Sequence, residues 1–411
     1  MHKESAIRFH YGWTVLIMGT FAVFGALGLA RFGYSTVLPA IQLDLALTNE
    51  HMGLLATFNL AGYLVMSIIG GALASRYGIR VVVTLGLILA GLGMIFTGLA
   101  KGFPELALWR GLTGIGSGAA NVATMGLWAA WFDIKKRGLA SGIAVSGSSV
   151  ALIVTGIMAP LIISGHGESS WRICWYVFGG LTLFMALGTL ILIRNHPTEI
   201  GLSPVGHSGV LPEKTNPTKK RNWALVYRSS IVWKIGFIYI AFGFSYIIYM
   251  TFFIKYLIAE GGYTTSTAGG LFMIMGWCSL LCGLIWGSVS DRIGRRKTLI
   301  ILFLIHSLAF GCFAIGGNQL LFLFSVIIYG LTAWSIPAIM AAVCGDLLGF
   351  ELAPAALGFI TLLFGIGQAL GPVIAGKIAD TFGTFAPSFW LAAIIALAGA
   401  VSTILLKEGF S

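Results

Sequence analysis

The chain has 411 residues, of which 57% are hydrophobic and only 9% are charged. Soluble globular proteins carry about 25% charged residues, so this composition excludes a set of water-soluble domains. It also excludes a disordered chain, which would be poor in apolar and aromatic side chains. The composition therefore predicts a membrane protein with many spans. The 56 glycines fit this class, because membrane helices use glycine for close packing.

Apolar runs recur along the whole chain. A helix needs about 20 apolar residues to cross a bilayer. Runs of this kind predict twelve spans, at residues 12–39, 51–74, 80–100, 103–132, 138–164, 171–193, 231–258, 265–289, 298–316, 319–347, 352–377 and 386–406. We expect Pro39 to end the first helix. The predicted fold is an all-α membrane protein with twelve transmembrane helices in two six-helix bundles.

Basic residues lie mainly on one side of these spans. The loops on the side of the N-terminus hold most of the 25 Lys and Arg, whereas the opposite loops hold only Lys101, Arg172 and Lys377. Cytoplasmic loops of membrane proteins are rich in Lys and Arg, so we predict that both termini are cytoplasmic. This placement accounts for the net charge of +11 without a nucleic-acid partner.

The segment 194–230 differs from the rest of the chain because it is rich in Pro, Gly, Ser and basic residues. It predicts a cytoplasmic linker between an N-terminal bundle at 1–193 and a C-terminal bundle at 231–411. Its end, 222–230, is predicted to form a short helix at the membrane surface. Trp223 and Tyr227 would lie at the level of the lipid headgroups.

The two halves contain an internal repeat. The ten residues from Gly71 to Arg80 recur 216 positions later, from Gly287 to Arg296. The shared pattern is Gly, three residues, Asp, Arg, one residue, Gly and then basic residues. The second copy has the Asp as Asp291, whereas the first copy has Ser75 at this position. Two such repeats predict pseudo-symmetric bundles with a binding site at their interface, near the middle of the membrane.

This pattern resembles the loop signature of the major facilitator superfamily, and the resemblance covers essentially the whole chain. The fourth span resembles the second signature of the superfamily at Arg110, Gly114 and Gly118. The resemblance implies transport by alternating access. It also implies gating or structural roles rather than substrate contact for one set of residues: Gly71, Arg76, Gly78, Arg80, Arg110, Gly287, Asp291, Arg292, Gly294 and Arg295. Ser75 implies a weaker latch in the first half.

Arg31 is the most informative charge within a span. An ionisable group there costs about 2.5–3.5 kcal/mol on insertion scales, so it is a functional candidate by default. A guanidinium binds a carboxylate through two parallel hydrogen bonds. We interpret Arg31 as an anion-binding residue that faces a central cavity. The alternative interpretation is an arginine that extends to the outer headgroups. Organic-anion branches of the superfamily often carry an Arg on this helix, which favours the first interpretation.

Polar and aromatic side chains on other spans are candidates to complete the substrate site. The fourth span carries a polar stripe of the kind that lines a cavity, in which Arg110 is interpreted as mainly structural. The repeat would place Tyr249 of the seventh span opposite Arg31. The candidate substrate-binding residues are Arg31, Tyr34, Asn59, Tyr63, Asn121, Trp128, Tyr246, Tyr249, Trp277, Trp334 and Gln368.

Acidic residues are absent from the middle of every predicted span, because all 14 Asp and Glu lie in loops or near span ends. A carboxylate relay for protons and a cavity for cationic drugs are therefore disfavoured. We expect no metal site and no cofactor. An enzyme is disfavoured because no metal cluster and no pair of nucleophile and base can be identified.

The sequence thus favours a secondary transporter of a small carboxylate or sulfonate, resembling bacterial organic-anion and monocarboxylate branches, in the cytoplasmic membrane. Transport would occur by exchange or with a co-transported proton, and we expect a monomer. An exporter of amphipathic compounds is the alternative, supported by the aromatic content and a partial fifth-helix signature at Gly156 to Pro160. A membrane sensor that does not transport is a third possibility.

Overall fold

The computed structural model describes residues 10–206 and 224–406, and this part of the chain consists of helices joined by short loops, with one isolated bridge between Phe132 and Val205. Twelve long helices follow one another: α1 (Tyr11–Asp44), α2 (Asn49–Tyr77), α3 (Ile79–Leu99), α4 (Phe103–Trp131), α5 (Ile134–His166), α6 (Trp171–Leu192), α7 (Ser230–Ala259), α8 (Thr265–Ile293), α9 (Arg295–Ile315), α10 (Gln319–Leu348), α11 (Ala355–Phe382) and α12 (Ala386–Leu405). The all-α membrane fold is confirmed.

Eleven of these helices are long and apolar enough to cross a membrane, and α4 is the exception. It has 29 residues, yet glycines, hydroxyl side chains, Asn121 and Arg110 lower its hydropathy. Most of these polar groups are buried against neighbouring helices rather than facing outwards. A membrane helix of this composition must be surrounded by protein, because lipid cannot satisfy its polar groups.

Two helix ends differ from the predictions. Pro39 lies inside α1 rather than at its end, and the helix continues to Asp44. Neighbouring helices in membrane proteins re-satisfy the backbone group that a proline frees, so the prediction that Pro39 ends the helix is wrong. Helical structure also runs without interruption from Ser335 to Phe382, through the predicted break between the tenth and eleventh spans. The chain nevertheless reverses there, because Asp346 contacts Arg295 at one end of the bundle and Asp380 contacts Asn49 at the other.

The middle of α1 is wound as a π-helix from Phe24 to Phe32. Such wide turns depart from the α-helical bonding pattern, so their backbone groups need partners from elsewhere. Two polar side chains of α4 supply them. The Ser117 hydroxyl donates to the carbonyl oxygen of Ala26, and Arg110 Nη1 donates to that of Ala30 at 2.7 Å. The polar stripe of α4 thus holds the wide turn that carries Arg31.

Helices of the first half pack against helices of the second half, notably α2 against α11, α5 against α8 and α1 against α7. We call the end of the bundle that carries Asp44, Asn49 and Asp380 the outer end, following the predicted orientation. There the Asp380 carboxylate accepts hydrogen bonds from the backbone N–H groups of Asn49 (3.0 Å) and Glu50 (2.7 Å). A carboxylate at a helix N-terminus also interacts favourably with the helix dipole. In this structure the outer end is closed.

The opposite, inner end carries the repeated loops. Gly78 and Gly294 both end a helix at a φ of +88°, a backbone conformation that favours glycine. The second loop holds an ionic latch, since Arg295 contacts Asp291 at 2.6 Å and Asp346 of α10 at 3.1 Å. In the first loop Ser75 donates only to the carbonyl of Gly71 in its own helix. Arg80 joins this loop to α6 instead, because its Nε donates to the carbonyl of Leu190.

The remaining loop residues that were assigned gating or structural roles lie at the inner surface. Gly71 and Gly287 have open space around them. Arg76 is exposed and stacks on Tyr77, and Arg292 is also exposed. These placements agree with positions outside the substrate site, while their gating roles stay predictions.

The segment between the halves is described only in part. Residues Pro197–Ile200 form a short 3₁₀ turn, and Ala224–Arg228 form a single helical turn before α7. Asn222 and Trp223 of the predicted surface helix lie outside the described residues, whereas Tyr227 is exposed and packs edge-on against Phe359 of α11. The domain boundaries at 194 and 230 stay predictions.

Gly28 allows α1 to approach α5. A Cβ on Gly28 would overlap the Cβ of Ala151, which has no flexible end to move away. We expect Gly28→Ala to lower the free energy of unfolding by about 1–3 kcal/mol, as overpacking does in other cores. Thermal unfolding of the purified protein in detergent measures this effect. Gly180→Ala on α6, which has open space around it, is the matched control and should unfold as wild type does.

Asp380 should stabilise the closed outer end. We expect Asp380→Ala to shift the population toward an open outer end, because the backbone N–H groups of Asn49 and Glu50 lose their acceptor. Spin labels on the exposed positions Leu43 and Phe382, in a background without the native cysteines, report the distance across this end. An unchanged distance distribution in Asp380→Ala would show that the contact does not control closure.

Candidate functional site

A small cavity lies beside Arg31 between α1, α2, α4 and α7. Its volume of about 10 Å³ has room for roughly one water molecule. Two guanidinium groups, those of Arg31 and Arg110, border it, and no carboxylate is among the described residues that line it. The cavity is therefore electropositive. The lining residues are Arg31, Phe32, Tyr34, Ser35, Ala56, Asn59, Leu60, Arg110, Ile247, Met250 and Thr251.

Arg31 lies at the end of the π-helical turn and is only 9% exposed. Its Cζ lies 4.3 Å from the ring centroid of Tyr63, so the guanidinium stacks on this aromatic face. Its Nε and Nη2 atoms are buried and have no hydrogen-bond partner in the described part of the chain. These two nitrogens form one edge of the guanidinium, the edge that binds a carboxylate through two parallel hydrogen bonds. The structure thus places Arg31 inside the bundle rather than at the outer surface.

Arg110 differs from Arg31 because its Nη1 is bonded to the backbone of α1, although its Nε is also buried without a partner in the described part of the chain. It is 1% exposed, donates to the carbonyl of Ala30, and stacks over the rings of Tyr34 at 4.6 Å and Trp175 at 5.1 Å. These contacts agree with the interpretation of Arg110 as mainly structural. The cation still adds to the positive potential around the cavity.

Two tyrosines flank Arg31, one from each half of the chain. Tyr63 of α2 accepts a hydrogen bond from Asn121 Nδ2 at 2.8 Å, and Asn121 Oδ1 is left buried without a partner in the described chain. Tyr246 of α7 lies beside Arg31 and accepts a hydrogen bond from Gln368 Nε2 of α11. The structure therefore brings together five of the candidates named from the sequence: Arg31, Tyr63, Asn121, Tyr246 and Gln368.

Tyr34 and Asn59 border the same cavity but form bonds within the first half. The Tyr34 hydroxyl donates to the carbonyl of Met52 at 2.8 Å, and Asn59 Nδ2 donates to the carbonyl of Arg110 at 3.1 Å. Each of these bonds joins two helical segments. The side chains therefore shape the wall of the cavity with their hydrogen-bonding groups already used.

The three tryptophans predicted for the site lie in different surroundings. Trp334 packs on Phe32, next to Arg31, and its Nε1 donates to Ser149 at 3.0 Å across the two halves. Trp128 is buried against Gly19 of α1 and Phe132, two turns away from Asn121. Trp277 is 58% exposed and shares its helix face with the exposed Leu281, so it lies on the apolar exterior. Trp277 is the candidate that the structure separates most clearly from Arg31.

Tyr249 also lies away from Arg31, contrary to the prediction from the repeat. Its hydroxyl pairs with Ser325 of α10 at 2.9 Å. Its ring packs among other aromatic rings of the second half, namely Phe253, Phe310, Phe313, Tyr329 and Phe389. The π-helical turn of α1 changes the register of Arg31 on its helix, whereas α7 is α-helical throughout, so equal positions in the two sequences do not share a face. Tyr249 is therefore a core residue of the second half.

Several residues near the cavity were not predicted from the sequence. The Ser35 hydroxyl donates to the carbonyl of Met250, and Thr57 Oγ1 donates to that of Ala369, so each bond joins the two halves. Thr251 lines the cavity from α7. Isolated hydroxyl residues are common in membrane helices, so the sequence did not mark Thr57 or Thr251. Ser35 lies four residues after Arg31, and this spacing was the one indication that it lies near the site.

Comparison with known proteins identifies the group to which the fold and this site belong. A family model described as "Uncharacterised MFS-type transporter YbfB" matches residues 23–404. A hexuronate transporter of Bacillus subtilis is 25% identical over 92% of this chain and 90% of its own length. A protein of Cupriavidus necator named "Probable sulfoacetate transporter SauU" is 22% identical, over 92% of this chain and 90% of its own.

Solved structures show the same fold. The crystal structure of a D-xylose-proton symporter superposes with a TM-score of 0.76 at 15% identity, and covers 97% of this chain and 98% of its own. At this level of identity the likeness shows the fold alone. The family model and the relatives identify an integral multi-pass membrane transporter rather than an enzyme.

The two buried arginines should affect stability in opposite ways. We expect Arg110→Leu to lower the free energy of unfolding by about 1.5–3 kcal/mol, because a charge-assisted bond to Ala30 is lost and a buried carbonyl is left without its partner. Arg31→Leu should leave stability unchanged or raise it, because it removes an unpaired buried cation. Thermal unfolding of both variants in detergent makes the comparison. Equal losses of stability would contradict the assignment of different roles.

Proposed function

Because the chain belongs to this family of MFS-type transporters, we propose that it moves a small organic anion across the bacterial cytoplasmic membrane by alternating access. The anion carries a carboxylate or a sulfonate group. One observation carries the proposal: Arg31 lines the small cavity, and its Nε and Nη2 atoms are buried without an acceptor in the described part of the chain. The relatives support this substrate class, since their names describe hexuronate and sulfoacetate transport.

The energetic argument rests on the isolation of Arg31. An unpaired charge inside a protein costs several kcal/mol, and one without a ligand would bring no benefit to stability. A bound anion offsets this cost, because it supplies both the opposite charge and the two acceptors that the guanidinium edge requires. The stacked ring of Tyr63 holds the guanidinium in place before the ligand arrives. Arg31 is therefore the residue on which anion affinity depends.

The position of the cavity suits transport. Residues of α1, α2 and α4 line one side and residues of α7 line the other, so a ligand here would contact both halves. In the described structure the outer end is held by Asp380 and by the Thr57 hydroxyl. Movement of one half against the other would break these contacts and open the site to the outside.

Several features of the transporter belong to this proposal as predictions. They are a cytoplasmic position for both termini, a monomeric state, and coupling by exchange or by a co-transported proton. The alternative, an exporter of amphipathic compounds, is not favoured, because the names of the relatives describe anion transport.

Substitution of Arg31 tests the proposal. We expect Arg31→Gln to weaken anion binding about 100-fold, because two charge-assisted hydrogen bonds are lost. The measurement is counterflow of lactate, glucuronate and sulfoacetate into proteoliposomes, together with dissociation constants from calorimetry. Arg31→Lys should recover part of the affinity, since a point charge replaces the two-pronged guanidinium.

The control for charge alone is Arg228→Gln, an exposed position in the turn before α7. It should bind and transport as wild type does. Anion transport that survives in Arg31→Gln, or transport of amphipathic drugs without anion uptake by wild type, would contradict the proposed function.

A further inference from the structure

The hydroxyl groups of Tyr63 and Tyr246 share an unusual arrangement around Arg31. Each accepts a hydrogen bond from a side-chain amide of its own half, Tyr63 from Asn121 and Tyr246 from Gln368. Each also lies against the Arg31 guanidinium, Tyr63 through its ring face and Tyr246 beside it. The arrangement thus occurs twice, with parts from α2 and α4 on one side and from α7 and α11 on the other.

The hydrogen-bonding capacity of these groups determines what each hydroxyl can do. A guanidinium only donates, and the amide nitrogens of Asn121 and Gln368 also only donate. A tyrosine hydroxyl has one proton to donate and lone pairs to accept. Since the amides occupy lone pairs of Tyr63 and Tyr246, each O–H proton is left for an acceptor. The two hydrogen bonds described for these hydroxyls both come from donors, the amide nitrogens of Asn121 and Gln368.

We propose that Asn121 and Gln368 are positioning residues that hold the Tyr63 and Tyr246 hydroxyls as O–H donors toward an anion on the Nε–Nη2 edge of Arg31. The proposal rests on the proposed function, and it narrows the substrate to a carboxylate. The two nitrogens of Arg31 and the two hydroxyls make four donors, and a carboxylate has about four lone-pair positions on two oxygens. A sulfonate would bring a third oxygen for which this set holds no donor.

The four donors come from both halves of the chain. Arg31 and Tyr63 belong to the first half, and Tyr246 belongs to the second. A carboxylate that accepts from all of them would join the halves at the middle of the bundle. Binding would therefore favour conformations in which the halves are close at this level, whichever end is open.

A double-mutant cycle tests whether Asn121 acts through Tyr63. The variants are Asn121→Leu, Tyr63→Phe and their combination, and the measurement is the dissociation constant of glucuronate. Tyr63→Phe keeps the ring on Arg31 but removes the hydroxyl, and we expect binding about tenfold weaker. Asn121→Leu should weaken binding by a similar factor in wild type and have almost no effect in the Tyr63→Phe background. A residue with a merely structural role would weaken binding equally in both backgrounds.

The second half of the chain offers an independent cycle, Gln368→Leu with Tyr246→Phe, which serves if the first set does not fold. The matched control is Tyr256→Phe on α7, whose hydroxyl donates to the backbone carbonyl of Ala314 away from Arg31. It should bind glucuronate as wild type does. Additive effects in both cycles would overturn the positioning role.

The carboxylate preference is tested with two ligands that carry the same ethyl group, propanoate and ethanesulfonate. We expect propanoate to compete with glucuronate at a concentration about tenfold lower than ethanesulfonate, because one sulfonate oxygen lacks a donor. Equal competition would overturn this part of the proposal.

If wild type binds no anion at all, the proposed function itself fails. If binding depends on Arg31 but the cycles are additive, only the positioning role fails.

Discussion

The wide π-helical turn of α1 is the constraint on which the rest of the site depends. Its carbonyl oxygens at Ala26 and Ala30 accept hydrogen bonds from Ser117 and Arg110 of α4. In a membrane no water is present to satisfy such groups, so the side chains that bond them must come from protein. This requirement explains why α4 is the least apolar of the long helices and why its polar stripe is buried.

The bond from Arg110 to the wide turn of α1 gives the two buried arginines different roles. Arg110 is bonded to the backbone of α1 and stacked between Tyr34 and Trp175, so its charge is part of the scaffold. Arg31 lies in the turn that Arg110 holds, and its Nε–Nη2 edge has no acceptor in the described part of the chain. A cation kept in this state has a direct use in binding an anion. The unpaired charge of Arg31 lowers the stability of the fold, whereas the bond from Arg110 to α1 contributes to it.

The structure also connects binding to movement. Ser35, four residues after Arg31, bonds to the backbone of α7, and Asp380 bonds to the start of α2 at the outer end. The anion site and the closure of the outer end therefore share the helices α1, α2, α7 and α11. Under the proposed function, a change in the contacts around Arg31 would be transmitted to the outer end through these shared helices.

The amino-acid sequence by itself determined the membrane class, the number of long helices and the position of Arg31 within a span that holds no carboxylate. These follow from composition, from the length of the apolar runs and from the placement of charges, which are local properties of the chain. Tertiary structure alone decided which aromatic residues join Arg31. Tyr246 meets Gln368 beside it, whereas Tyr249, three residues further along, belongs to the core around Ser325, and Trp277 faces the exterior. The periodicity of an α-helix indicates which side chains share a face of that helix. The packing of neighbouring helices determines which of these faces borders the cavity. The continuation of α1 past Pro39 has a similar cause, because neighbouring helices, absent from any local pattern, support the backbone there.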